Sequence, residues 1–311
     1  MGPKGNIVFS SVAERVQIWA ARLRPNAGVI SGSPRQLTST AGFEYYPSAT
    51  RAGNLIAFIS SRSGNRDIWI HDLRTGRESP LTESAANEWI PRVNAKGDVV
   101  AYALGGQGQD GIYFHPVAGT PQKAVDGSSC APWAWSHSGR YFIYGAGTAS
   151  TGGSLLGERY FKLLDLVTRR HSDLLREPEF QLFQAAFSPD DAWIAFNASG
   201  RIFVVSFNPR ARIPSSQWVR ISDGEWINDK PRWSPDGTLI YFVSDRDGSR
   251  CIWAQRVDAN SKRPQGPTFA VYHAHHVRRT LATSLLEIDL SSDDLIFSMS
   301  EITGNLWLRQ R

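Results

Sequence analysis

The sequence predicts an all-β protein, a β-propeller built from four-stranded antiparallel blades. Three observations carry that expectation. A turn of the type Ser-Pro-Asp-Gly recurs, complete at 234–237 and in related form at 188–191 and 136–139. Each copy is followed by a β-branched and aromatic run: TLIYFVS, AWIAFNA or RYFIYGA. The repeat length is about 45 residues, that of one blade. Apolar alternation of period two dominates, and helical periodicity is nearly absent.

Each element of the repeat has a local reason. The first, innermost strand ends in the turn, where Pro fixes φ, Asp bonds nearby backbone and Gly accepts a positive φ, so the chain reverses tightly. The second strand has the character of LIAF. A polar, Gly-containing loop then leads to the third: Ser61-Arg62-Ser63-Gly64 precedes Ile68-Trp69, and Asp245-Arg246-Asp247-Gly248 precedes Ile252-Trp253. A shorter fourth strand follows, as in RQLT (35–38), SPLT (79–82) and WVRIS (218–222). Weaker turns close at Gly53, Gly97 and Asp294. The closing positions 53, 97, 139, 191, 237 and 294 are thus 44, 42, 52, 46 and 57 residues apart.

Hairpins of second and third strands number seven, at 7–23, 55–73, 99–117, 141–166, 193–207, 239–257 and 295–311. Seven blades are therefore expected, with six as the alternative. Gly2-Pro3-Lys4-Gly5 stands in turn register with no innermost strand before it, and the last repeat ends after its third strand. The first and last blades should be incomplete or share strands. Residues 1–311 are expected to form a single propeller domain, the C-terminal part of a longer polypeptide. The Gly/Ser-rich insert at 145–158 is expected to be a mobile hairpin loop.

Composition narrows the function classes. The charge is 34 − 29 = +5, from 28 Arg and 6 Lys spread along the chain. A nucleic-acid binder concentrates its charge on one face or arm, so nucleic acid is not an expected partner. No apolar run approaches the ~18–20 residues of a helical membrane span, so no membrane insertion by this chain is expected. Two cysteines, Cys130 and Cys251, exclude a disulfide scaffold. No basic segment leading into an apolar stretch follows Met1, so no export signal is expected within the chain. No G-x-S-x-G elbow is present, nor H-R-D, D-F-G or G-x-x-x-x-G-K-S/T. Gly106-Gln107-Gly108-Gln109-Asp110-Gly111 spells G-x-G-x-x-G but joins two predicted strands and opens no helix, so it reads as a hairpin loop.

Residues 233–253, WSPDGTLIYFVSDRDGSRCIW, closely resemble the TolB-like propeller repeat, W-S-P-D-G-x-x-I-x-F-x-S-x-R-x-G-x-x-x-I-W. FSPDDAWIAF (187–196) and the second half of 55–73 match it too. The closing LIFSMSEITGNLWL and the stretch FAVYHAHHVRR resemble C-terminal propellers of bacterial membrane-spanning Ser/Thr kinases and of CadC-type regulators. That resemblance implies a non-catalytic recognition or sensor module, often extracytoplasmic, attached to an effector domain upstream. It implies no reaction and no cofactor.

The expected binding surface is positional. Loops entering the innermost strands converge on one mouth of the channel. Residues six before each turn are Glu44, Glu88, Cys130, Leu182, Asn228 and Leu285. With their neighbours they nominate Glu44, Tyr45, Glu88, Trp89, Trp133, Asn228, Asp229 and Arg278 for binding a protein, peptide or small ligand. Glu44, Glu88 and Asp229 should be partly exposed, making an acidic rim suited to a cationic peptide. No catalytic residue and no metal is assigned. The alternative function is a metal-dependent lyase or hydrolase. His273 and His275, on one face of an extended strand, could share an ion if a third ligand came from elsewhere. Propeller-fold pectate-degrading lyases with a manganese–histidine site make that a known class. Trp19, Trp69, Trp253 and Trp307 recur on third strands and are expected to pack between blades.

Overall fold

The computed structural model describes residues 7–105, 108–127, 130–147, 160–276, 278–281 and 286–309. The expected turn at Gly2-Pro3-Lys4-Gly5 and most of the insert at 145–158 lie outside them. Two strands open the chain, β1 (Ile7–Arg24) and β2 (Val29–Gln36). Five four-stranded antiparallel sheets follow in chain order. The first holds β3 (Glu44–Ala49), β4 (Leu55–Ser60), β5 (Asp67–Asp72) and β6 (Arg77–Pro80); the second β7 (Asn87–Val93), β8 (Val99–Gly105), β9 (Gly111–Pro116) and β10 (Gln122–Asp126). The third holds β11 (Cys130–Trp135), β12 (Tyr141–Ala146), β13 (Tyr160–Asp165) and β14 (Arg170–Arg176); the fourth β15 (Leu182–Phe187), β16 (Trp193–Ala198), β17 (Arg201–Ser206) and β18 (Val219–Arg220). The fifth holds β19 (Asn228–Trp233), β20 (Leu239–Ser244), β21 (Cys251–Val257) and β22 (Pro264–Tyr272). Among the described residues the only helical element is one 3-10 turn, Ser215–Gln217.

The sixth blade closes the ring. It combines β23 (Arg279–Leu281), β24 (Ile288–Leu290) and β25 (Asp294–Arg309) with β1 and β2. β25 pairs with β1 from Arg22↔Asp294 out to Ile7↔Arg309, and β2 adds the outer edge. This corrects the expected count: the propeller has six blades. The segments at 7–23 and from 295 onward are not hairpins of two blades but single long strands that meet in one. The N-terminal strand thereby covers an edge that an open ring would leave unpaired. Beyond the blade, the pair continues as a ribbon on which Ile7, Val8, Phe9, Val12, Ile302, Trp307 and Leu308 are exposed. Trp307 is thus on the ribbon, whereas Trp19 is buried and Trp69 and Trp253 are partly buried at blade contacts.

Both faces of every blade are buried, which is why strands such as LIYFVS read as continuous apolar runs. Leu239, Tyr241 and Val243 face the closing blade, while Ile240 and Phe242 face the fourth blade. Six hydrophobic clusters result, each lying mainly between two neighbouring blades. The turns hold by the expected chemistry. In Ser234-Pro235-Asp236-Gly237, Ser234 Oγ donates to Asp236 at 2.6 Å and accepts from the Leu239 amide at 2.9 Å, while Gly237 adopts φ +70°.

A second repeat motif was not foreseen. Each innermost strand of the first five blades carries a bulge, and in four of them its key residue has a positive φ: Tyr46, Ile90, Gln184 and Lys230. Three of these precede Pro47, Pro91 and Pro231, whose missing N–H needs no partner at the break. The third blade has Pro132 in this register, which cannot take a positive φ. The bulges position the next residues around the axis.

Candidate functional site

Apart from Trp133, which sits further along β11, the expected binding residues lie at the starts of the innermost strands, but burial changes their meaning. Glu44 is fully buried. It pairs with Arg62, which bonds Glu78 at 2.6 Å and stacks on Trp69 at 4.1 Å, and it accepts from Thr40 at 2.7 Å. Glu88 is buried and held by Ser84 Oγ at 2.6 Å. Burial, opposed by Ser84 and aided by Asp67, pushes its carboxyl up to about 7. Tyr45, Trp133 and Asn228 are buried. The Asn228 side chain donates to Trp226 O at 2.8 Å, which fastens a loop. Asp229 is half-buried between Arg250 at 2.6 Å and Lys230 at 3.5 Å. Trp89 is half-buried beneath Arg66, 3.7 Å from its ring centroid. Arg278 is exposed. Burial of Glu44 and Glu88 overturns the expected rim, of which only Asp229 stays partly exposed, and that in ion pairs: a carboxylate taken from water sheds its desolvation cost by pairing with arginine or by holding a proton.

The channel itself is organised by residues that the mouth argument passed over. Aligning the repeats on their turns puts Ser48, Arg92, Ala134, Ala186, Arg232 and Asp289 in one column, two residues before each turn. Four before the turn stands Glu287, opposite Tyr46, Ile90 and Lys230 of other blades. Glu287 is buried and bonds Arg92 at 2.7 Å and Arg232 at 3.1 Å; Arg232 also reaches Asp289 at 3.2 Å. Burial alone would push the Glu287 carboxyl up, but Arg232, Arg92 and Lys230 hold it below its ordinary value. Arg92 also donates to Trp133 O at 3.1 Å and Arg232 to Pro231 O at 2.8 Å. The network therefore crosses blades. Backbone donors repeat the pattern: Ala49 N–H bonds Asp289, Val93 N–H bonds Ser48, and Lys230 N–H bonds Gln184, each on the preceding blade.

Toward the turn-bearing end this network leaves a cavity of about 160 Å³. Its wall includes Trp133, Trp135, Phe187 and Trp233, with Arg92 and Arg232 among the polar lining. The indole N–H groups of two of these are already used, Trp135 on Arg92 O at 2.8 Å and Trp233 on Ala186 O at 3.1 Å. The cavity is thus at the opposite end of the channel from the mouth where the binding residues were expected. Of those residues only Trp133 lines it.

The histidines form a separate group. His273 Nδ1 and His275 Nε2 lie 2.9 and 3.0 Å from Asp247 Oδ2, and the Cys251 thiol sits within the same cluster. The Ala274 amide donates to Cys251 Sγ at 3.3 Å. Burial, with the Asp247 carboxylate adding to it, pushes the Cys251 thiol up to about 11, against the pull of the Ala274 amide. Burial works against ionisation of Asp247 too, but His275 and His273 hold it below its ordinary value. The H-x-H pair was visible in the sequence. Its partners could have been found by reading the β20–β21 loop and the first residue of β21 against the fourth strand, since Ile252 pairs with Tyr272.

No family model matches the chain. A stretch of 49 residues is 49% identical to an uncharacterized protein of Agrobacterium fabrum, covering 16% of this chain and 17% of that protein. Solved structures match far more. A TolB candidate from Agrobacterium tumefaciens aligns with a TM-score of 0.63 at 16% identity, over 95% of this chain and 99% of that one. TolB from Acinetobacter baumannii aligns at 0.59 and 17%, over 81% of this chain and 65% of that one. The fold is that of the TolB-like β-propellers. An oligogalacturonate lyase in complex with manganese aligns at 0.53 and 13%, over 96% and 98% of the two chains. At such identities likeness speaks to fold alone, because one propeller scaffold carries unrelated chemistries. None of these three is a kinase or a CadC-type regulator. In this TolB-like propeller the cavity and the histidine cluster have no residue in common.

Proposed function

We propose that the chain is a non-catalytic recognition module that takes a protein or peptide tip at the turn-bearing end of its channel. The observation that carries this is the cavity above the Arg92–Glu287–Arg232 network. Its volume, about 160 Å³, is below the roughly 300 Å³ where small-molecule pockets begin. It suits one inserted side chain. The rings of Trp133, Trp135, Phe187 and Trp233 favour an apolar or aromatic one, and the indole donors of Trp135 and Trp233 are already satisfied. The guanidiniums of Arg92 and Arg232 are neutralised by Glu287 and Asp289, while Arg51, which also lines the cavity, donates to Pro235 O at 2.9 Å. A lyase or hydrolase built on His273 and His275 would place its chemistry on outer loops, apart from this cavity; recognition is the better supported reading.

The test is selection of displayed random peptides on the full chain, followed by affinity measurement on Ala186→Phe, which fills the cavity from its lining. Selected peptides should share an aromatic or large apolar anchor and lose at least ~10-fold in affinity on the variant, as loss of a buried anchor does. Peptides that bind wild type and Ala186→Phe equally, with both chains melting alike, would overturn the assignment.

A further inference from the structure

The outer loops of the fifth blade hold a second site of a different kind. Asp247 lies in the loop between β20 and β21, Cys251 begins β21, and His273 and His275 follow β22 at the crossover to the closing blade. One ligand atom from each of the four lies within 4.8 Å of all the others. Only Cys251 is buried; both histidines are exposed, so an ion could enter from solvent. Asp247 Oδ1 is buried and finds no hydrogen-bond partner of ordinary geometry among the described residues. Trp253 packs edge-on against His273 at 5.7 Å, which limits how that ring can turn.

From this arrangement we infer that Asp247, Cys251, His273 and His275 bind one Zn²⁺ as a structural clip. The donor set decides the metal. One sulfur, two imidazole nitrogens and one carboxylate oxygen suit zinc, whereas calcium and magnesium require oxygen shells. Tetrahedral ligands at about 2.0–2.3 Å stand roughly 3.3–3.8 Å apart, so the cluster needs only small side-chain shifts to receive the ion. Charge balances as well. Cys251 gives its thiol proton to water as the Zn–S bond forms, and thiolate plus Asp247 carboxylate cancel the two charges of the ion. With four protein donors no position is left for water or substrate, which makes the site structural by ligand count. The ion ties the β20–β21 loop to the segment that carries the chain into the closing blade. It acts independently of the channel cavity.

The experiment uses the 311-residue chain, stripped with chelator and titrated with Zn²⁺ against a chromophoric competitor, then with Co²⁺ as a spectroscopic stand-in. One Zn²⁺ per chain should bind and raise the melting temperature. Co²⁺ should give intense tetrahedral visible bands and a near-ultraviolet thiolate charge-transfer band. Cys251→Ser should lose the charge-transfer band. His275→Gln, a change at an exposed position, should fold normally and lose at least the ~10–100-fold in affinity that removal of a mere outer-shell partner costs. His276→Gln, just outside the cluster, should bind as wild type does. Absence of stoichiometric Zn²⁺ binding, a cobalt spectrum without the thiolate band, or equal loss in His275→Gln and His276→Gln would each overturn the site. In those cases the cluster is an Asp–His ion pair beside a buried thiol.

Discussion

Replacing Glu88 by Gln isolates the cost of burying a carboxyl at a strand start. In the folded chain burial raises this group from 4.5 to about 7. The native state therefore binds the proton more tightly than the unfolded chain does. The sign follows: stability is highest below the unfolded value, falls as pH rises from about 4.5 through 7, and levels off above. At 1.36 kcal/mol per unit the full shift sets a ceiling of about 3.4 kcal/mol. Ser84 and Asn87 beside it are exposed, and water at the strand end screens the charge. About 1–2 kcal/mol is the expected penalty at pH 8. The substituted amide keeps the shape, cannot ionise and still faces Ser84. Urea unfolding of both proteins from pH 4 to 8.5 gives the difference in stability at each pH. The variant should gain on wild type by about 1–2 kcal/mol across that range, most steeply midway between the unfolded and folded values, at about pH 5–6. A flat difference, or a variant that loses ground as pH rises, would refute the burial argument and mean that Glu88 is ionised and compensated at neutral pH.

Two further outcomes test the architecture. Glu287→Gln leaves Arg92 and Arg232 facing each other without their shared carboxylate and should cost about 3–5 kcal/mol in urea unfolding, the usual penalty for breaking a buried pair; a loss under about 1 kcal/mol would mean that water already solvates the channel. Hydrogen exchange should be faster in the ribbon, residues 7–14 and 302–309, than in β20 and β21, because the ribbon lacks the neighbouring blades that cover those strands; equal protection would show that something covers the ribbon in solution.

The strands and turns were legible in the sequence because both are short-range. The alternation in LIYFVS and the Pro-Asp-Gly chemistry at 235–237 act within a few residues, and in the first five blades the innermost strands start within one residue of the positions six before each turn, while the sixth such position, Leu285, lies outside the described residues. The TolB-like repeat was legible for the same reason. What depended on distant partners was not. Seven hairpins became six blades because β1 pairs with β25, Trp19 against Phe297 and Arg22 against Asp294, a contact between the two ends of the chain that no local pattern encodes. Glu44 looked like a rim carboxylate until Arg62 and Thr40 enclosed it. Glu287 gave no local signal at all, since its meaning comes from Arg92 and Arg232 on two other blades. His273 and His275 were visible as a pair, but Asp247 and Cys251 joined them only through the register of β21 on β22. Backbone preference and hydrophobic period determined which segments become strands. Ring closure then brought together charges far apart in sequence, and desolvation at those meetings decided which of them pair and which could meet a ligand or an ion.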